Sequence, residues 1–217
     1  GIQKDAKIWK LSTNRTNVAV SLPENGSTII VFSKSDKKSF ASKVTFNNQT
    51  ILDAKTEWYQ IHKTNDYPKI SWDKDDVKAS KSGEYIFHQN GKEIVKSIDI
   101  KKMSLQNNWQ LSFDKGWDTP ESIVVDELKS LTELENDAIQ HYSGTITYNK
   151  IFEVKELGEF MSIDLGEVAN IAELWCNGKK VGVKWAPPFE FDITDEIQVG
   201  ENKLEIKVTN TWRNQLI

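Results

Sequence analysis

Charged and apolar residues alternate with a period of two in several short segments of the chain. The clearest segment is Lys203–Val208, with Gly200–Asn202 predicted as the turn before it, and a second segment is Phe160–Leu165. Successive side chains of a strand point to opposite faces of the sheet, so this period predicts half-buried β-strands. In the second segment the residues on one face are Met161, Ile163 and Leu165. A further strand is predicted at Ser27–Phe32, where the apolar residues are continuous.

Three Asn-Gly pairs lie between predicted strands, at Asn25-Gly26, Asn90-Gly91 and Asn177-Gly178. Both central residues of a type I′ turn need positive φ, which Asn and Gly adopt readily, so an Asn-Gly pair between apolar runs predicts a β-hairpin. The two hairpins predicted in this way are Ile86–Val95 and Glu173–Gly182.

The second hairpin and the residues after it carry a definite pattern of faces. The residues predicted to point into the core are Ala172, Leu174 and Cys176. Glu173 and Trp175 then point to the opposite face. Gly182 predicts a close backbone approach or a bulge. Proline donates no backbone hydrogen bond, so Pro187-Pro188 predicts an edge or a loop from Trp185 to Phe189.

Helical periodicity is scarce along the chain. One short helix is predicted between Glu135 and Tyr142, while Val125–Leu134 fits either a strand or a helix. Short strands at regular spacing, separated by turn residues, predict an all-β fold built as a sandwich or a barrel.

One series of predicted strands ends at Ile100 and a new alternating strand begins at Asn108. A domain boundary is therefore predicted near Lys101–Met103, which gives two domains, 1–102 and 103–217. The first is predicted to be β-rich and immunoglobulin-like, because Ser82–Ile100 has the form of the last two strands of a small sandwich. Residues 1–35 also fit the last strands of a preceding domain. The second domain begins with an alternating strand after residue 108.

Composition excludes several classes of function. The chain has 217 residues and a net charge of −4, and its only arginines are Arg15 and Arg213, so a nucleic-acid partner is not predicted. No apolar run approaches the roughly 20 residues of a membrane helix, so no membrane partner is predicted. The N-terminal residues Gly1–Asp5 lack the apolar region of a signal peptide.

No metal site or catalytic residue is predicted. The three histidines lack a ligand spacing, and the single Cys176 is interpreted as a small core residue. Asp and Asn are plentiful, which leaves a structural calcium ion open, but no spaced ligand loop stands out and no cofactor is predicted. Glycoside hydrolysis needs two carboxylates. The two carboxylate clusters are interpreted as solvated turns, and their residues are Glu133, Glu135, Asp137, Asp192, Asp195 and Glu196.

The chain contains eight tryptophans, which is many for a polar chain. A sugar ring stacks its C–H face on an indole and needs polar side chains around it. The tryptophans interpreted as core or domain-interface residues are Trp9, Trp58, Trp72 and Trp109. The carbohydrate-binding or docking candidates are Trp175, Trp185, Trp212, Arg213 and Asn214. For the three tryptophans among them, both sugar contact and packing on a neighbouring domain stay open.

A set of motifs in the second half resembles a known domain family. The motifs are Tyr142–Tyr148, Ile163–Val168, Ala172–Lys179, Val181-Gly182, Trp185–Thr194, Gly200–Leu204 and Val208–Trp212. Together they resemble the galactose-binding-like jelly-roll, sugar-binding domain of family two glycoside hydrolases. The version at the C-terminus of large α-L-rhamnosidases and β-galactosidases of the Bacteroides type is the most similar. Those end in Trp-x-Asn-Arg-Leu-Ile, whereas Trp212–Ile217 has Gln215 in place of that arginine.

The resemblance implies a non-catalytic accessory region of a much longer glycoside hydrolase that acts on plant or host polysaccharide. The catalytic acids of such enzymes lie in a separate barrel, so the implied partners are that catalytic domain and carbohydrate. The implied location is the periplasm or the cell exterior. Two other functions stay open, namely an autonomous carbohydrate-binding module and a purely structural or adhesion sandwich.

Overall fold

The computed structural model describes residues 6–12, 15–20, 28–34, 41–54, 68, 70–73 and 76–211. The chain divides into two compact units, Gly1–Lys102 and Met103–Ile217. In the described residues the secondary structure is almost entirely antiparallel strands, with one four-residue helix and one 3-10 turn. The predicted all-β fold class is therefore confirmed.

The first unit is built around a four-stranded sheet in the order β4-β3-β7-β8. Its strands are β1 Trp9–Ser12, β2 Arg15–Val18, β3 Lys43–Phe46, β4 Gln49–Asp53, β5 Ile70–Asp73, β6 Asp76–Ala79, β7 Gly83–Gln89 and β8 Lys92–Ile98. β1 pairs with β2, and β5 with β6, as separate hairpins. Asn90 and Gly91 have φ values of 48° and 78°, which confirms the hairpin predicted there.

The core of the first unit combines alternating residues of this sheet with residues that flank its strands. The buried residues are Ile8, Ala41, Val44, Ala54, Tyr85 and Phe87. Tyr85 is fully buried, and its hydroxyl donates a hydrogen bond of 2.7 Å to the Lys81 carbonyl. Burial raises the pKa of Tyr85 to about 12, because the phenolate would lose its hydration.

The strand predicted at Ser27–Phe32 is wrong for the described residues 28–34, which belong to no strand or helix. Ile29, Val31 and Phe32 are exposed along this segment. An apolar, β-branched run has the propensity for a strand, but a strand also requires a partner for its backbone hydrogen bonds. The predicted turn at Asn25-Gly26 lies outside the described residues.

The second unit contains a six-stranded sheet in the order β10-β9-β11-β16-β13-β14 and a two-stranded sheet β12-β15. The elements are β9 Trp109–Phe113, β10 Ser122–Val125, α1 Asp137–Gln140, β11 Thr145–Val154, β12 Ser162–Asp164, β13 Ile171–Cys176, β14 Lys179–Lys184, β15 Glu190–Asp192 and β16 Gly200–Thr209. The helix predicted between Glu135 and Tyr142 is confirmed. The ambiguous stretch Val125–Leu134 contains the end of β10 and a 3-10 turn at Leu131–Glu133.

One face of the six-stranded sheet packs against a second layer made of β12, β15 and the loops beside them. Sheet residues in this core include Leu111, Ile146, Leu174 and Leu204. The second layer contributes Phe189, Phe191, Ile193 and Ile197, and the core also contains Ile139 of α1 and Tyr142 just before β11. Met161, Ile163 and Leu165 pack together against the same core, as the alternation predicts.

The turn predicted at Gly200–Asn202 is wrong, because β16 already begins at Gly200 and pairs there with Val154. Gly200 has a φ of 93°, so the sharp change of direction occurs at the first residue of the strand. Gly200 thus combines a turn-like backbone conformation with a place in the strand.

Tyr142 and Gly144 fix the start of β11. The Tyr142 hydroxyl donates to the Thr145 carbonyl at 2.8 Å and accepts from the Asp114 N–H at 3.2 Å. A β-carbon at Gly144 would lie 2.8 Å from that hydroxyl oxygen, so a side chain here would displace the Tyr142 ring. The Asn210 side chain accepts from the Gly144 N–H and donates to the Tyr142 carbonyl, which joins this corner to the end of β16.

Candidate carbohydrate-binding surfaces

The hairpin of β13 and β14 has the predicted faces. Ala172, Leu174 and Cys176 are fully buried, while Trp175 lies half-buried on the opposite, outer face of the six-stranded sheet. Asn177 and Gly178 have φ values of 51° and 79°, which matches the predicted turn. The register shifts by one residue between Leu174 and Trp175, so the bulge predicted from Gly182 is present.

Two lysine ammonium groups lie over the ring of Trp175. The Lys180 Nζ lies 5.1 Å from the ring centroid and the Lys207 Nζ lies 4.6 Å from it. These lysines come from the strands on either side of β13. Each is paired with a carboxylate, Lys180 with Glu173 at 2.8 Å and Lys207 with Glu205 at 3.5 Å. A sugar ring that stacks on Trp175 must first displace an ammonium group, which the ring attracts.

Trp185 has the opposite surroundings, because its side chain is 77% exposed. It directly follows β14, which lies at the edge of the six-stranded sheet, in the loop that the Pro187-Pro188 pair predicted. The Lys184 ammonium donates to the Pro188 carbonyl at 3.0 Å and lies over the Phe191 ring, so the loop is tied back to the core. The indole therefore stands exposed on a loop held at its base.

The other predicted candidates, Trp212, Arg213 and Asn214, lie outside the described residues, as does Trp58. Trp109 is buried in the core, as predicted, and Trp9 is half-buried. The side chain of Trp72 is not described. Trp117, which the sequence pattern did not single out, packs edge-on against Tyr142 with ring centroids 5.3 Å apart.

In the two carboxylate clusters, Asp192 has a structural role and the carboxylates of the first cluster are exposed. An Asp192 carboxylate oxygen accepts from the Thr194 N–H at 3.1 Å and from its hydroxyl at 2.7 Å, which closes a turn. Asp137 opens α1 with an exposed side chain, and Glu133 and Glu135 are exposed. Among the described residues, no group of three or more His, Cys, Asp or Glu side chains is placed to hold a metal ion.

Cys176 is a buried core residue, as predicted. Its thiol donates weakly to the Glu196 carbonyl at 3.8 Å. Burial raises the pKa of this thiol, and the nearby Glu196 carboxylate raises it further. Both effects disfavour the thiolate, which is the reactive form.

A cleft that the sequence did not predict lies between β11 and the segment that leads into β9. Its volume is about 380 Å³. The lining residues are Ser104, Leu105, Gln106, Asn107, Lys150, Ile151 and Phe152. A volume of this size falls within the roughly 300–1,000 Å³ of small-molecule sites.

Comparison with known families agrees with this architecture. The family described as "Glycosyl hydrolases family 2, sugar binding domain" matches residues 61–217. The chain therefore belongs to the sugar-binding domain family of family 2 glycosyl hydrolases. None of the described helices is long and apolar enough to cross a membrane.

Two relatives indicate the kind of protein in which this domain occurs. A protein of Formosa agariphila named "Putative beta-glucuronidase" is 44% identical over 127 residues, which is 57% of this chain and 11% of that protein. A rhamnosidase structure from Novosphingobium sp. PP1Y has a TM-score of 0.50 and 28% identity, and the match covers 64% of this chain and 14% of the rhamnosidase. The chain thus spans a small fraction of the length of both relatives.

Proposed function

We propose that this chain is a non-catalytic accessory region of a larger glycoside hydrolase, in which the second unit contacts carbohydrate. Family membership over residues 61–217 supports a sugar-binding domain. Relatives many times longer than the matched region support a separate catalytic domain as partner. The role of Asp192 in closing a turn, and the exposure of Asp137, are consistent with a chain that carries no catalytic pair.

The proposal includes an immunoglobulin-like first unit, residues 1–102, and a galactose-binding-like jelly roll, residues 103–217. The antiparallel sheet of the first unit and the two-layer core of the second support these assignments. The parent enzyme is proposed to be of the Bacteroides type, similar to rhamnosidases or β-galactosidases, and to act on plant or host polysaccharide in the periplasm or outside the cell.

The exposure of Trp185 is the main observation that supports a carbohydrate contact. An exposed indole on a tethered loop offers a flat apolar face that is open to the C–H face of a sugar. Trp175 is less suited because two ammonium groups already lie beside its ring. We therefore place the aromatic contact at the β14 edge and not on the outer face of the sheet.

Trp185→Ala is expected to weaken polysaccharide binding by about tenfold or more, which corresponds to about 1.4 kcal/mol. The measurement is affinity gel electrophoresis of the chain against a panel of plant cell-wall and mucin polysaccharides. Val199→Ala is the matched control, because Val199 is also an exposed apolar residue on a turn. Equal retention of the two variants would place the contact elsewhere. Binding to no polysaccharide in the panel would favour a docking role for Trp185.

The chain is also expected to release no product from 4-nitrophenyl β-D-glucuronide, α-L-rhamnoside or β-D-galactoside. Its proposed role leaves the acid and the nucleophile on another domain. Absorbance of the released nitrophenol measures this directly. Turnover that disappears in Asp192→Asn or Asp137→Asn would contradict the accessory role.

A further inference from the structure

Lys150 interrupts an otherwise apolar face of β11. The register places Lys150 opposite Leu204, which is fully buried, so both residues lie on the face of the sheet that packs on the core. The other residues of β11 on that face are Ile146, Tyr148, Phe152 and Val154. A charged residue at a core-facing position contradicts the local pattern, and such conflicts are expected at functional sites.

The neighbouring strand ends just before this lysine. β9 pairs with β11 only from Ile146 to Asn149, whereas β11 continues to Val154. Beyond this point the 104–107 segment lies beside β11, and the cleft of about 380 Å³ lies between them. The early end of β9 therefore makes room for a small ligand next to Lys150.

The side chains of the cleft suit a ligand that has an anionic group, hydroxyl groups and one apolar face. The Lys150 ammonium donates to the Asn107 carbonyl, and it has two further hydrogens to donate. Gln106, Asn107 and Ser104 supply amide and hydroxyl groups, while Phe152 and Leu105 supply apolar surface. Among the lining residues, all of which the structure describes, there is no carboxylate, so the one formal charge is positive.

We propose that this cleft is a subsite for an anionic sugar residue, a pyranose that bears a carboxylate or a sulfate ester. Lys150 binds the anionic group, the amides of Gln106 and Asn107 bind hydroxyls, and Phe152 contacts the C–H face. This inference rests on the proposed carbohydrate-binding function. It is independent of Trp185, because β11 and β14 are separated by two strands of the sheet.

The test is a ¹⁵N-edited NMR titration of the chain with three probes that share one ring. They are methyl β-D-glucuronoside, methyl β-D-glucoside 6-sulfate and neutral methyl β-D-glucoside. We expect at least one anionic probe to shift the amide resonances of Gln106, Asn107 and Lys150, and to bind about tenfold more tightly than the neutral glucoside, since a hydrogen bond to a charged group contributes at least this factor. The tighter of the two anionic probes identifies the anionic group.

Variants separate the charge of Lys150 from its packing. Lys150→Met is expected to reduce the affinity for the anionic probe about tenfold, whereas Lys150→Arg retains it. Methionine suits an apolar position, and an unchanged thermal unfolding curve verifies that the variant folds. Lys155→Met is the matched control, because Lys155 is exposed just beyond β11.

Three results would overturn the subsite. They are equal binding of the neutral glucoside, unchanged affinity in Lys150→Met, and no shift of these resonances with either anionic probe. Polysaccharide binding that still depends on Trp185 would then leave the proposed function standing. Loss of the Trp185 effect while the Lys150 effect persists would instead reject the aromatic contact alone.

Discussion

Replacing Asn202 with leucine is expected to lower the free energy of unfolding of the second unit by about 3 kcal/mol or more. The Asn202 side chain is 1% exposed and makes four hydrogen bonds. Its oxygen accepts from the Asn177 amide at 2.8 Å and from the Gln198 N–H at 2.9 Å. Its nitrogen donates to the Gln198 carbonyl at 2.7 Å and the Gly200 carbonyl at 2.9 Å. Leucine fills similar space but leaves these partners unsatisfied.

The effect of Asn202→Leu is measured by native-state hydrogen exchange of peptides from β13 and β16. These peptides lie in the second unit, so they report its unfolding separately from that of the first unit. Glu201→Gln is the matched control, since Glu201 is the exposed neighbour on the opposite face of β16. Its effect is expected to stay within about 0.5 kcal/mol. If Asn202→Leu exchanged as slowly as the wild type, Asn202 would not hold the β13–β14 turn against β16.

Replacing Tyr142 with alanine is expected to destabilise the second unit by about 3–5 kcal/mol, the range for loss of a buried aromatic side chain. The ring is fully buried, edge-on to Phe113 at 5.1 Å and to Trp117 at 5.3 Å between ring centroids. Alanine removes both ring contacts and the hydrogen bonds to Thr145 and Asp114. Exchange rates of β9 and β11 amides give the free energy change.

Tyr142→Phe isolates the hydroxyl group, because it retains the ring and its packing. Its expected cost is about 1–2 kcal/mol, since the Asp114 N–H and the Thr145 carbonyl lose one partner each. An alanine variant no less stable than the phenylalanine variant would show that the aromatic contacts contribute little.

The two predictions concern two corners of the six-stranded sheet that are held by buried side chains. The Asn177–Asn202 network holds the tip of the β13–β14 hairpin against β16. The Tyr142 corner joins the start of β11 to the end of β16 and to the loop after β9. Trp185 follows the edge strand of that hairpin, and Lys150 lies on β11.

The lysines around Trp175 change the interpretation of the tryptophans. Alternation along β13 predicts correctly that Trp175 points outward, and an outward indole indicates a ligand or docking surface. However, Lys180 and Lys207 reach this ring from neighbouring strands, and Lys207 lies more than 30 positions away in the sequence. Only the pairing of β13 with both β14 and β16 brings the two cations to one ring.

The cleft at Lys150 is a second feature that a single strand pattern does not reveal. The alternation of Ile146, Tyr148, Lys150 and Phe152 is visible in the sequence and could have marked Lys150 as unusual. Whether a lysine at that position is covered or open depends on where the neighbouring strand ends. That end is set by the pairing of β9 with β11, which joins segments separated by about 30 residues that include β10 and α1.

The sequence by itself determined the local elements of this fold, namely its strands, its tight turns and one loop. The period of two, the Asn-Gly turns at 90–91 and 177–178, and the Pro187-Pro188 loop follow from backbone conformational preferences that act within a few residues. The all-β class and the inward face of β13 follow from the same preferences.

The tertiary structure alone decided which strands are neighbours and how far each pairing extends. Among the described residues it left the apolar segment 28–34 outside every strand, placed two lysines over Trp175, exposed Trp185 and opened the cleft at Lys150. These outcomes depend on contacts between residues distant in sequence. Such contacts form because apolar faces bury one another and backbone groups find partners, and neither condition can be evaluated within one segment.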